Sequence, residues 1–177
     1  MSNLRGQMVY LRPIQSTDLP YIIAWSRDAE IARLADGDYP QTLVEAEGWL
    51  KEINSDRYRK YFGIVFENEV IGDVELDHIA WRSGDAELRI RIGRKELWNR
   101  GIGTDAVRAV LRYGFLDLNL RRIYLRVYAH NQRAISCYTK SGFVKEGKIT
   151  SRFGNVLLMR ITRAEYLAIS APESTAV

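Results

Sequence analysis

At 177 residues, with 46% hydrophobic and 27% charged residues, the chain has the length of one globular domain with a substantial core and is short for two. No apolar run approaches the roughly 20 residues of a membrane span, and the opening MSNLRGQMVYLRP lacks the apolar core of a secretion signal. A lone cysteine, Cys137, and two isolated histidines, His78 and His130, rule out an internal disulfide and a cysteine-based zinc site, give no reason to expect a metal, and suit a reducing cytoplasm.

The net charge of +4 conceals an asymmetry: residues 88–163 carry 17 Lys/Arg against 4 Asp/Glu, while residues 1–87 carry 9 against 16. A basic half suits an anionic ligand and an acidic half a cationic one. No nucleic-acid recognition motif accompanies the basic half, so nucleic acid is not the expected partner.

In chain order, Met8–Arg12 reads as a strand ended by Pro13. Ser16, Thr17 and Asp18 offer caps for a helix through Tyr21, Ile22 and Trp25. The acidic stretch from Asp28 to Pro40 predicts a loop or short helix. Thr42-Leu-Val-Glu45 is a capping-box pattern opening a helix through Trp49, Leu50 and Ile53. Tyr61–Phe66, Val70–Leu76 and Glu87–Ile92 read as three strands of an antiparallel meander, turning at Glu67-Asn-Glu69 and at Trp81–Gly84. A helix over Asp105–Leu116 follows, then a strand over Arg122–Tyr128, then a short helix over Asn131–Ser141 stopped by Gly142. Phe143–Glu146 and Thr150–Ile161 complete the strands, with a bend at Phe153-Gly-Asn155, and Ala171–Val177 reads as a frayed small-residue tail. The pattern predicts one α+β domain over residues 1–177, its core spanning about 8–165, with a mixed, mainly antiparallel central sheet flanked by helices.

Between the Glu87 strand and the long helix lies Arg100-Gly-Ile-Gly-Thr104. First-turn N–H groups of a helix have no intrahelical partner, and the helix dipole adds positive potential there. Gly101 and Gly103 let backbone N–H groups approach a phosphate without an intervening Cβ. The run Gly101-Ile-Gly-Thr-Asp-Ala106 also fits the G-x-G-x-x-A dinucleotide fingerprint. Eight residues separate the strand from the first glycine, however, and no acid for a ribose ends the next strand at Val127-Tyr-Ala129.

The runs LWNRGIGTDAVRAVLRYGF and LNLRRIYLRVYAHNQRAISCYTKSGFVKEG together resemble the GNAT superfamily of acetyl-CoA-dependent N-acetyltransferases. The opening YLRPIQSTDL and the strand IGDVEL are most similar to its ribosomal-protein and polyamine acetyltransferase branch. The resemblance covers roughly residues 8–165. It rests most specifically on the RGIG loop together with N-x-x-A-x-x-x-Y-x-x-x-G-F from Asn131. It implies that backbone N–H groups of Arg100, Gly101, Ile102, Gly103 and Thr104 bind the pyrophosphate of coenzyme A. It implies further that the pantetheine arm pairs with the strand around Arg89, Ile90, Arg91 and Ile92, beside a neighbouring strand that splays away. Asn131 would contact the pantetheine, Tyr138 would sit by the thioester sulfur, and the Ile92 N–H would face the developing oxyanion. The family loop usually begins with Gln or Arg three residues before the first glycine. Here that residue is Trp98, so no polar side-chain contact is implied at that place.

Acetyl transfer to an amine needs loss of the ammonium proton, a donor for the oxyanion and a proton for the leaving thiolate. Tyr138 is the candidate acid on family grounds. Glu87, on the cofactor strand, and Glu75, on a neighbouring strand where Asp73, Glu75 and Asp77 share one face, are the candidate bases. Cys137 with His130 invites an acyl-enzyme alternative. Adjacent helix positions point apart, so Cys137 is read instead as a buried hydrophobe not sharing a face with Tyr138. The acidic residues Asp28, Glu30, Asp36, Asp38, Glu45 and Glu47 mark a region that, by resemblance to the polyamine branch, is an acceptor or regulatory site. The expected partners are acetyl-CoA and a primary amine (a protein N-terminus, a polyamine or a small amine), reacting by direct attack in a ternary complex. The alternative is a non-catalytic acyl-CoA-binding module on the same fold. Oligomeric state is not legible, a homodimer being the commonest soluble oligomer.

Overall fold

The computed structural model describes residues 4–35, 37–152 and 154–171. Its strands are β1 (Leu4–Arg5), β2 (Tyr10–Arg12), β3 (Lys60–Phe66), β4 (Glu69–Ala80), β5 (Asp85–Ile92), β6 (Arg122–Tyr128), β7 (Val144–Ser151) and β8 (Gly154–Thr162). Its α-helices are α1 (Leu19–Arg27), α2 (Ala29–Leu34), α3 (Leu43–Ser55), α4 (Ile102–Arg112), α5 (Gln132–Lys140) and α6 (Arg163–Ser170). The strands form one eight-stranded sheet in the order β1-β2-β3-β4-β5-β6-β8-β7. Every neighbouring pair is antiparallel except β5–β6, which is parallel. This is the mixed, mainly antiparallel α+β architecture that the periodicities predict.

Local chemistry accounts for the elements. The β3–β4 hairpin turns at Glu67 and Asn68, both with positive φ (49° and 67°), the combination a two-residue primed turn requires. At α3, the Thr42 hydroxyl accepts from the Glu45 N–H, but the Glu45 carboxylate reaches the N–H of Gln41 rather than of Thr42. Helix α5 stops at Gly142, whose φ of 100° suits glycine.

The sheet buries both faces. On one, Ala106, Val107, Val110 and Leu111 of α4 pack on Ile71, Leu76, Leu88 and Ile123. On the other, Ile22 and Trp25 of α1 and Ile53 of α3 pack against Tyr61 and Val70. Five features depart from the sequence expectation, the first being that β7 runs past Glu146 to Ser151, so that Thr150 pairs with Asn155 across a hairpin instead of opening the last strand. A two-residue β1 precedes β2, because Gly6 turns the chain back by donating to the Val9 carbonyl. Strand β4 runs four residues past Leu76, to Ala80, through an irregularity at His78 (φ 51°). Helix α4 starts at Ile102 and ends at Arg112 in a wider π-helical turn over Tyr113–Asp117. Finally, α6 forms behind a capping box between Thr162 and Glu165. The bend at Phe153 and the tail from residue 172 onward lie outside the described residues.

Candidate active site

Strands β5 and β6 pair only over Asp85–Glu87 with Arg122–Tyr124. Beyond that register they part, and a cavity of about 460 Å³ opens between them. A Cβ built on Gly72 would lie 2.2 Å from the Arg91 carbonyl oxygen, so the peptide groups of Arg91 face β4. By strand alternation those of Ile90 and Ile92 face the cavity. Side chains run the other way. Arg91 turns its guanidinium into the layer under α1, where it is buried.

The glycine loop closes one end of the cavity. Gly101 caps α4 in the left-handed region (φ 79°, ψ −5°), preceded by Asn99 at φ 61°. The first-turn N–H groups of α4 therefore open toward Gly103 and Thr104, which line the cavity. Asp105, one turn in, is 7% exposed. Its carboxylate accepts from the N–H groups of Gln7 (2.8 Å), Met8 (2.7 Å) and Val9 (2.9 Å), clamping the β1–β2 turn beneath the loop.

Helix α5 forms the opposite wall. The Asn131 side-chain oxygen accepts from the Ala134 N–H at 3.2 Å, which leaves its amide N–H groups toward the cavity. Tyr138 is 6% exposed, lines the cavity, and packs edge-on against Phe143 with centroids 5.8 Å apart. Burial raises the pKa of its phenol, with smaller contributions from Cys137 and Tyr39. The group is thus a protonated donor at neutral pH. Cys137 also lines the cavity, contrary to the expectation that it points elsewhere, because α5 lies along the cavity wall and presents two adjacent positions to it. Burial pushes its thiol up as well, the thiolate-favouring contact with Thr104 notwithstanding.

A charged layer backs the cavity. The register places Asp73 opposite Arg91, Glu75 opposite Arg89 and Asp77 opposite Glu87. Arg91 donates to Asp73 at 2.6 Å and to Ser26 at 3.2 Å, while the Tyr39 ring lies 3.7 Å from its guanidinium carbon. The Tyr61 hydroxyl donates to the second Asp73 oxygen at 3.1 Å. Glu87 accepts from Arg89 at 3.0 Å and from Arg126 of β6 at 2.9 Å. Glu75 is held less firmly. Its Oε2 lies 3.0 Å from Arg59 Nε without hydrogen-bond geometry, and 3.5 Å separates Oε1 from Arg89. Burial, reinforced by Asp77 and Asp73 against the pull of Arg59 and Arg89, raises its pKa from 4.5 to about 7. Asp77 sits lower than usual; its own burial is outweighed by hydrogen bonds from Arg59 and the His78 N–H.

Of the residues singled out in the sequence, Arg89, Ile90, Arg91, Ile92, Gly101, Gly103, Thr104, Asn131 and Tyr138 meet in this one cavity. Arg100 is exposed and the Ile102 side chain enters the core, leaving only their backbone near it. Glu75 and Glu87 stand behind Arg89 rather than in the lining. In the acidic region, Asp28 caps α2 and, with Glu30, grips Lys95 at 2.8 and 3.0 Å; Asp38, Glu45 and Glu47 are exposed, and Asp36 is outside the described residues. Sequence reasoning missed Ile31, Leu34 and Ala35 of α2 and its following loop as a cavity wall, and missed Arg59, Tyr39 and Arg126. A single capped turn of helix gives little period to detect, and cross-strand partners become visible only with the register. No cluster able to hold a metal ion, and no helix long and apolar enough to cross a membrane, exists among the described residues.

A strand edge freed by a splayed neighbour and meeting a glycine-rich helix N-terminus fits an extended amide-bearing chain that ends in phosphates, which is the form of coenzyme A. The profile of the acetyltransferase (GNAT) domain matches residues 9–144, and the chain belongs to that family. It is an acetyl-CoA-dependent N-acetyltransferase. Among curated proteins it is similar to spermidine N(1)-acetyltransferase of Escherichia coli (strain K12), with 31% identity over 90% of this chain and 89% of that one. Among solved structures it is similar to spermidine N-acetyltransferase from Vibrio cholerae in complex with CoA and spermine, with a TM-score of 0.84 and 27% identity over 92% of this chain and 99% of the other. A dodecameric structure of the Vibrio cholerae enzyme superposes with a TM-score of 0.79 and 27% identity, over 94% of this chain and 100% of that one.

Proposed function

We propose that the chain acetylates a primary amine of a polyamine of the spermidine or spermine kind, by direct attack, with residues 8–165 acting as one catalytic domain. The observation that carries the reading is the continuity of one cavity from the glycine loop, along the free edge of β5, to the Tyr138 phenol and the Arg89 side of the charged layer. The relatives' substrates and the acidic character of the first 87 residues support a polycationic acceptor.

When bound, acetyl-CoA supplies the acetyl thioester. Glu75, rather than Glu87, takes the ammonium proton, and because it stands behind Arg89 rather than in the lining the proton reaches it through a water. A carboxylate with a pKa near 7 accepts a proton at neutral pH and gives it up again, while Glu87 is fixed by two arginines as structure. The Ile92 N–H donates to the carbonyl oxygen as negative charge gathers on it. Tyr138, held protonated by burial, would donate its phenolic proton to the sulfur as the carbon–sulfur bond breaks, and would be reprotonated by the second proton that the acylated nitrogen sheds. The Cys137 thiol, pushed up by burial, takes no part.

A cytoplasmic setting and self-association belong to the same reading. The homodimer is the smallest closed assembly, and a similar enzyme forms a dodecamer. The test is thiol release from acetyl-CoA across spermidine, spermine, aminoglycosides and short peptides with free N-termini. Turnover confined to the polyamines supports the acceptor; turnover of peptides alone overturns it. Tyr138→Phe should lower kcat by about 10²-fold while leaving CoA affinity unchanged.

A further inference from the structure

Arg133, in the first turn of α5, lines the cavity at its glycine-loop end. Its guanidinium lies over the Trp98 ring, 3.5 Å from the centroid. The Trp98 indole N–H donates to the Ile92 carbonyl at 2.9 Å, so the ring is pinned to the last residue of β5 and offers a fixed platform. Both side chains are half-buried. Arg133 forms no ion pair among the described residues, unlike Arg59, Arg89, Arg91 and Arg126, each of which meets a carboxylate. The neighbouring lining at this end, Asn99, Thr104, Asn131, Ser136 and Lys140, carries no negative charge; Glu30 acts on Arg133 from outside the lining, but burial outweighs it and its carboxylate is bound to Lys95 at 3.0 Å.

Burying a cation part-way without a counter-ion is costly unless a ligand supplies the anion. A guanidinium lying flat on an indole has its face satisfied by the ring and its N–H edge left to bind phosphate oxygens in pairs. Arg100 offers no equivalent, since it is exposed and absent from the lining. Trp98 stands three residues before Gly101, so its cation is held at the rim of the loop whose N–H groups converge on α4.

We infer that Arg133, seated on Trp98, is the side-chain ligand of the coenzyme A pyrophosphate, opposite the backbone N–H groups of the glycine loop. The inference rests on the assignment of this cavity to acetyl-CoA.

The test is titration calorimetry of coenzyme A, 3′-dephospho-coenzyme A and pantetheine into the wild type, Arg133→Ala, Arg133→Lys and Trp98→Phe. Arg133→Ala should weaken coenzyme A and its dephospho form alike, by about ten- to a hundredfold, and leave pantetheine unchanged. Its binding should also depend less steeply on salt than that of the wild type. Arg133→Lys should recover part of the loss. Trp98→Phe, which keeps a ring but frees it from Ile92, should fall between wild type and Arg133→Ala. Equal weakening of pantetheine would show a structural role, and weakening of coenzyme A alone would move the contact to the 3′-phosphate; either overturns the inference, as does unchanged binding. Failure of the wild type to bind coenzyme A at all would instead remove the cavity assignment beneath it.

Discussion

Glu75→Gln separates the two carboxylates most sharply. Glu75 is 5% exposed, and its pKa of about 7 against the ordinary 4.5 means that, between those values, the folded protein holds a proton the unfolded chain has released. At roughly 1.4 kcal/mol per pH unit, that gap corresponds to about 3 kcal/mol. The sign follows directly. The contribution is present in full below pH 4.5 and disappears as pH rises through 7, so the wild type should lose about that much stability across the interval on this account alone. Glutamine cannot ionise. Urea unfolding at pH 5 and pH 8 should therefore show a pH-dependent loss in the wild type that is largely absent from Glu75→Gln.

Catalysis supplies an independent reading of the same group. If Glu75 takes the proton from an ammonium of pKa about 10, kcat/KM should rise to about pH 7 and then level off, because the reactive pair is ionised Glu75 with protonated amine. In Glu75→Gln only amine that arrives neutral can react. Its kcat/KM should keep climbing about tenfold per pH unit toward the amine's own pKa. The deficit at pH 7 should thus be on the order of 10²- to 10³-fold and shrink steadily above it. Parallel pH profiles for wild type and Glu75→Gln, together with a collapse in Glu87→Gln at unchanged stability, would refute the reasoning and return the base to β5.

Two further predictions concern how the fold holds the site. Asp105→Ala strands three backbone N–H groups of Gln7, Met8 and Val9, and should cost about 3 kcal/mol in denaturant unfolding. Hydrogen exchange should rise at residues 6–10 and in the first turn of α4, and uniform exchange across the protein would contradict a local clamp. Gly93→Ala places its Cβ 2.1 Å from the Trp25 ring, in a layer that buries Trp25 to 6% exposure. An overpacked core of that kind costs about 1 to 3 kcal/mol or more, readable as a fall in Tm of several degrees, whereas Gly48→Ala, with nothing within 4 Å, should leave Tm unchanged or raised.

The backbone part of the site was legible because it is written locally. The alternation Leu88-Arg-Ile-Arg-Ile92, the two glycines and the helical spacing of Val107, Val110 and Leu111 each declare their element within a few residues. Their order along the chain places a strand edge beside a helix N-terminus. Helix α6 was equally readable in principle, since Thr162 and Glu165 form a capping box in the sequence, but the short helix after them has no fully buried residue and meets the core chiefly through half-buried Tyr166. The splay of β5 from β6 has no such signature. It depends on where a parallel pair stops, after Glu87 and Tyr124, and no local pattern in either strand marks that place.

Acid–base roles were the least legible for a sharper physical reason. On composition alone Asp73, Glu75, Asp77 and Glu87 are equivalent carboxylates on alternating positions. Their chemistry diverges through partners that, apart from Arg89 two residues along from Glu87, lie 12 to 39 residues away: Arg126 for Glu87, Arg91 and Tyr61 for Asp73, Arg59 and Arg89 for Asp77. Glu75 receives the poorest share of that set, an arginine contact without hydrogen-bond geometry and a longer one at 3.5 Å, while being as deeply buried as the others. Burial raises the pKa of Glu75, whereas at Asp77 hydrogen bonds from Arg59 and the His78 N–H outweigh it and hold that carboxylate below its usual range. The group able to move a proton is the one the surrounding arginines satisfy least, and that residue is recognisable once the cross-strand register is known.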